Sequence, residues 1–513
     1  METGCLRNDT VNRNGRNNRI GGRSKYGKII SFQNIEVAPY IVEQLLDVRI
    51  DQQMNEHGTF YFKALLPEEK KDSYVINNSQ GSNVSLSVRE TDGNRDILFQ
   101  GIVQDVKVKA IQGSYYMEVY AISYSYLLDI GKKSRSFQNK QMLYSELLNQ
   151  VAADYADAAF RDVITQNASI GQFIVQYEET DWEFSRRLAS HFHTGLVNDV
   201  HINCPRCYFG VPDNGKLNLE TVNYVVKQDI GKYLKLSNSG ISGLSEQDFI
   251  YYEVETYSPA DIGDEVQFQG QTLYVYQIMA RMEKGIFVYH LTLTTRKGMS
   301  QLHQWNERIA GASLNAKIVA IKNDQVKVSL EIDEISGHNP GKLCFFPYST
   351  IYSSQDGSGW YCMPEIGDSV RVYFPDGVEE HSYAISSVHE EVNNSSPGRG
   401  SDSVSGGSGE YSGQRDDPSV KSLRNQDGKE IRLTPGGIYI IADGTVITLT
   451  DEGGVLITSD KDIEFKSDQN IVLSAEENIN IIGLTGVDLS CNETASVKIE
   501  EDIKVTGQEV KSN

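Results

Sequence analysis

From Ile431 to Val505 the chain repeats every eight residues, and no other feature restricts its fold as strongly. Each octad opens with an apolar residue and places a second two positions later. The pairs are Ile431/Leu433, Tyr439/Ile441, Ile447/Leu449, Val455/Ile457, Ile463/Phe465, Ile471/Leu473, Ile479/Ile481, Val487/Leu489, Ala495/Val497 and Ile503/Val505. All twenty are apolar in a chain that is only 39% hydrophobic. Residues i and i+2 of a strand point the same way, so each octad predicts one short strand with two inward side chains. The residue between them, as in Arg432, Thr448, Glu464 and Lys504, points outward. The other five are polar or glycine-rich and turn a corner.

Two buried side chains per octad make a thin core, because ordering each residue costs about 1–2 kcal/mol of backbone entropy. Three chains wound about one axis would share that core and close the sheet edges. The octads therefore predict an intertwined trimeric β-helix, a β-prism of ten layers at about 4.8 Å, roughly 50 Å long. The competing arrangement is a single-chain β-helix, which usually needs longer coils.

The rest of the 513 residues predicts a mainly β protein of several domains. Residues 1–28 are rich in Asn, Gly and Arg and read as a flexible basic arm. Residues 29–136 and 213–300 contain many short β-branched and aromatic runs and read as two β-barrels. Between them, 137–212 reads as a small α/β insert. Leu143, Leu147, Leu148, Val151 and Tyr155 keep helical spacing, and Thr180 with Glu183 forms a capping-box pattern ahead of Phe184, Leu188 and Phe192. Residues 301–390 predict a five-stranded barrel of the OB type. Residues 391–420 are a Gly/Ser linker, and 421–513 are the octad rod.

The formal charge of −22 argues against nucleic acid as a partner, because phosphate binding needs a positive field. No run of about 18 apolar residues occurs, and the first 28 residues lack the apolar stretch of a secretory signal. Synthesis in the cytoplasm without a signal peptide is the expectation. Six scattered cysteines fit a reducing compartment.

Within 17 residues stand His191, His193, His201, Cys204 and Cys207, all zinc-ligand types. Only one Cys-x-x-Cys is present, and His-x-His falls where a helix should end, so helix-end and turn roles outweigh metal binding. No G-x-S-x-G elbow, P-loop or HExxH occurs. Carboxylates are too numerous for any pair to signal glycosidase chemistry. Neither a catalytic residue nor a cofactor is expected. Cys491 sits in an octad corner, where a packed or solvent-facing thiol is the plain reading.

Two stretches besides the octads carry a family likeness. "VQYEETDWEFSRRLASHF" (Val175 to Phe192) is similar to a hub segment in which a strand enters a helix through Tyr–x–Glu–Thr–Asp. "GWYCMPEIGDSVRVYFPDGVEEHSYAISSV" (Gly359 to Val388) looks like the end of a spike OB barrel. In this order they resemble VgrG-type spikes of contractile injection systems and the fused hub and central spike of contractile phage tails. The resemblance implies a homotrimeric hub and needle that fits a hexameric inner tube, joins baseplate proteins and is driven through a target envelope when a sheath contracts. Effector cargo is a further partner it allows. No histidine follows His389, so the His-x-His tip of some relatives is missing and a separate tip-cap protein is implied. A trimeric adhesin or receptor-binding fibre, and an envelope-degrading enzyme on a β-helix, are the competing readings.

Overall fold

The computed structural model describes residues 29–70, 72–76, 82–89, 95–351, 362–386, 417–425, 427–491 and 495–499, with backbone only from 490 onward. The basic arm, most of the linker, Trp360, Ile503 and Val505 lie outside these residues. The chain divides into two compact units, 1–391 and 392–513. It is mainly β, with 45% of the described residues in strands and 15% helical.

Strand Thr59–Leu66 shows how the hub core forms. Its residues alternate, and Phe60, Phe62, Ala64 and Leu66 are buried. It pairs antiparallel with Gln44–Gln53 on one side and Ser114–Ser123 on the other. The two expected barrels are halves of one 12-stranded sheet. Gln44–Gln53 from the first half pairs with Gln271–Glu283 from the second, from Arg49–Arg281 to Gln53–Gln277. One hydrophobic core runs through both halves, from Val48 and Phe60 to Val275 and Leu291. The second half also holds a helix, Ile230–Asn238, that strand patterning did not show. Asp229 caps it by accepting a 2.9 Å bond from the Lys232 amide.

The insert has its own core. Helices Tyr144–Ala152 and Asp181–Ser190 bury Leu147, Leu148, Val151, Phe184 and Leu188. The capping box closes as its residue types require: the Glu183 amide donates to Thr180 Oγ1 at 3.1 Å, and the Thr180 amide donates to Glu183 Oε2 at 3.0 Å.

Five strands form the next barrel, in the order Phe345–Pro347, Gln325–Leu330, Ser313–Lys322, Ser369–Tyr373, Tyr383–Ser386. A parallel bridge between Tyr348 and Ala384 joins the two ends and closes it. Numbered along the chain, the strands follow 1-2-3-5-4-1, a Greek-key closure of the OB kind.

In the C-terminal unit, strands Lys421–Arg424, Glu430–Thr434, Gly437–Ala442, Thr445–Thr450 and Gly454–Ser459 make an antiparallel meander within one chain. The period of eight predicts ladders between chains for these octads. The turns explain the difference. Pro435–Gly436 and Asp443–Gly444 are two-residue hairpin loops, and glycine is needed at 444, where φ is +70° and a Cβ would lie 2.2 Å from Asp460 Oδ1. Beyond Asp460 the corners read "KSDQN" and "SAEEN", without such a signal. There the chain has no ladder until Val487–Cys491 pairs with Ala495–Ile499. Among the described residues no helix is long and apolar enough to cross a membrane.

Candidate functional site: the hub–barrel joint and the octad face

The strand Ile174–Thr180 belongs to two cores at once. Ile174 packs into the insert, whereas Phe173 and Val175 are buried in the OB barrel. Phe173 meets Phe346 edge-on, with ring centroids 5.0 Å apart. Alternation along a strand makes this sharing possible.

The Tyr–Glu–Glu–Thr–Asp motif then turns the strand into the helix, and each residue after Tyr177 takes a polar role. Glu178 occupies the left-handed region (φ 50°), and Glu179 is buried. Glu179 pairs with Arg187 through two 2.8 Å bonds, from Nε to Oε1 and from Nη2 to Oε2. Arg187 Nη2 also donates to the Val175 carbonyl at 2.8 Å, and Nη1 donates to Glu379 Oε1 of the barrel at 2.8 Å. All three charged side chains are buried. Burial works against the Arg187 charge, but Glu379 and Glu179 outweigh it and hold the guanidinium above its usual range. Asp181, also buried, accepts from Arg135 Nη2 at 2.7 Å, from Lys133 Nζ at 2.6 Å and from the Tyr155 hydroxyl at 2.7 Å.

Further contacts fasten the barrel to the insert. Ser136 donates from its amide and its hydroxyl to the two oxygens of Asp333, both at 2.6 Å, while His338 Nε2 lies 2.9 Å from the Ser136 carbonyl. Burial pushes the Asp333 carboxyl up to about 6, against the two Ser136 bonds. Nearer the surface, Arg308 makes a bidentate pair with Glu183 at 2.7 and 2.8 Å and holds that carboxyl at about 2.

The five metal-ligand candidates do not converge. His191 Nδ1 lies 2.9 Å from the Tyr144 hydroxyl, and the ring stacks on His303 at 4.7 Å; burial pushes its pKa down to about 3. His193 has φ 53° at the helix end and faces the Gln301 carbonyl at 3.3 Å. His201 bridges the Ile97 carbonyl and Asp261 Oδ1 at 2.9 and 2.8 Å. Cys204 and Cys207 are buried, and burial pushes the Cys207 thiol far up. Among the described residues no group of three or more His, Cys, Asp and Glu is placed to hold a metal ion.

One Ser–His–Asp line exists that sequence spacing did not show. His57 Nδ1 lies 2.8 Å from Ser125 Oγ, and Nε2 lies 3.2 Å from Asp129 Oδ2. Ser125 is buried, with its hydroxyl also bonded to Ser123 and the His57 ring lying 4.3 Å from Trp182. A nucleophile must reach a carbonyl, so this line is a hydrogen-bond brace.

In the C-terminal meander, cross-strand partners share a face. Ile431 opposes Ile440, which opposes Ile447, which opposes Ile457. Leu433 opposes Ile438, which opposes Leu449, which opposes Val455. These eight form one apolar face. In the second octad the register selects Ile438 and Ile440, while Tyr439 and Ile441 fall on the opposite face. Seven of the eight keep 40–68% of their surface exposed in the single chain. Ile463, Phe465, Ile471, Leu473, Ile479, Ile481 and Leu489 are exposed as well. Val487, Ala495 and Val497 lie on the last paired strands.

Residues 53–192, from the end of strand Gln44–Gln53 through helix Asp181–Ser190, match the family described as phage tail baseplate hub (GPD). The match contains the Tyr–Glu–Glu–Thr–Asp turn. No curated protein matches the chain. Among solved structures, the E. coli c3393 protein is described as a component of the type VI secretion system with structural similarity to T4 bacteriophage tail proteins. It is 12% identical, the match covers 68% of this chain and 98% of that one, and the TM-score is 0.48. A half-lidded Francisella PdpA–VgrG complex matches at 8% identity, over 83% of this chain and 87% of that one, with TM-score 0.49. The 43 kDa tail protein of prophage MuSo2 from Shewanella oneidensis matches at 11% identity, over 53% of this chain and 98% of that one, with TM-score 0.39.

Proposed function

We propose that this baseplate-hub chain is the fused hub and central spike of a contractile injection machine, working as a homotrimer. The hub sheet fits the trimer to the inner tube and neighbouring baseplate proteins. The octad rod is the needle that crosses the target envelope on sheath contraction, with a separate cap protein at its tip and effector cargo as a further passenger. The chain is made in the cytoplasm and assembled into a tail-like particle. Its work is mechanical, and it supplies no catalytic residue.

The family match to 53–192 supports the hub role. The octad face carries the rest of the reading. Eight side chains, from Ile431 to Ile457, share one face of a sheet, and among the described residues seven of them keep 40–68% of their surface exposed. Exposed apolar faces of this size mark an interface. Two further copies cover the face of each by the same contact, as closed symmetry requires.

The test is native mass by light scattering on the full chain and on a chain ending at residue 420. Three times 57.3 kDa, about 172 kDa, is expected for the full chain, with a lower mass for the shortened one. A full-length mass near 57 kDa overturns the trimer.

A further inference from the structure

The hub side of the joint is electrically complete before the barrel arrives. Glu179 and Arg187 form a bidentate, neutral pair, with Nη2 also satisfied by Val175. Only the Nη1 edge remains, and it faces the barrel. Glu379, at the start of the one-turn helix Glu379–His381, fills that edge. The result is one guanidinium and two carboxylates, a surplus of one negative charge in a buried place.

Burying a surplus charge is unfavourable, and well-packed apolar residues often serve a buried site better. The neighbouring contacts of Phe173 and Val175 with the barrel core are apolar, and apolar contacts carry little direction. We propose that Glu379 is the buried charged contact that, beside the bonds of Asp333 and His338 to Ser136, sets the register of the OB barrel on the hub. Its carboxylate oxygen on Arg187 Nη1 selects one seating of the barrel among those the apolar strand tolerates. This goes beyond the spike reading and does not depend on the trimer.

Hydrogen exchange on the full-length protein tests it. In Glu379→Leu, which keeps volume and loses the acceptor, amides of barrel strands Ser313–Lys322 and Ser369–Tyr373 should exchange at least tenfold faster. Hub strand Thr59–Leu66 should be unchanged. Glu379→Gln keeps an acceptor for Nη1 and should stay within threefold of the wild type in both regions. The proposal is overturned if the Leu variant leaves barrel exchange unchanged, if hub and barrel loosen together, or if Gln is as loose as Leu. Were the Leu variant not to fold, Glu379→Ala read the same way replaces it.

Discussion

Ile440 and Ile441 are neighbours on opposite faces of the same strand, and they separate two accounts of the octads. A strict period of eight puts Ile441 in the core, whereas the antiparallel register puts Ile440 on the face with Ile431, Ile447 and Ile457, which is the core of the proposed trimer. In the single chain Ile440 is 43% exposed, so truncating it to alanine in a monomer removes burial worth roughly 1 kcal/mol. Under two further copies the same side chain becomes core, and Ile440→Ala costs about 2–5 kcal/mol per copy, or about 6–15 kcal/mol per trimer. Ile441→Ala, half-buried on the opposite face, should cost about 1 kcal/mol per copy. The assay is denaturant unfolding at fixed chain concentration, because the midpoint of a trimer moves with concentration, with mass followed by light scattering. If Ile441→Ala is the more damaging, or if both cost under about 1 kcal/mol, the assigned core face is wrong.

Three further outcomes are expected. Asp333→Asn should gain stability over the wild type as pH rises from 4 to 8: the folded carboxyl is pushed up to about 6, so the wild type loses stability as pH climbs from the usual carboxylate range through that value. The gain is at most about 2 kcal/mol once solvent screening is allowed for, it should level off above pH 7, and a pH-independent difference in Tm contradicts it. Phe173→Ala should destabilise the OB barrel by about 3–5 kcal/mol although it lies far upstream in the chain; exchange confined to the insert would show that the shared strand is misassigned. Thiol titration of the native protein at pH 8 should label exposed Cys362 and spare Cys207 until the chain unfolds, whereas prompt labelling of Cys207 contradicts its burial.

Much of this was legible in local pattern. The capping box at Thr180 and Glu183, the helical spacing of Leu147, Leu148 and Val151, and the barrel over 313–386 all appear where residue chemistry indicates. Long-range pairing was not legible. No spacing tells that Gln44–Gln53 meets Gln271–Glu283, or that Glu379 meets Arg187 across 192 positions. One signal was available: Arg187 lies on the apolar stripe with Phe184 and Leu188, where a charge needs a buried partner. In the octads Tyr439 and Ile441 fall on the face opposite Ile431 and Ile447 for a simple reason. A repeat count assumes equal corners, but the loops hold two residues at 435–436 and 443–444 and three at 451–453. Loop length decides which residue of the next strand faces in.

The strand that serves two cores also imposes a timetable. Phe173, Val175 and Tyr177 leave the ribosome well before Ile309, and further still before Phe374 and Ala384, which complete their surroundings. At about 5–20 residues per second, the roughly 130–210 intervening residues take about 7–40 seconds to synthesise. Until those residues follow, strand Ile174–Thr180 presents a bare apolar edge. The nascent hub is thus a template awaiting its barrel, and an exposed apolar edge of this kind is an aggregation hazard during translation.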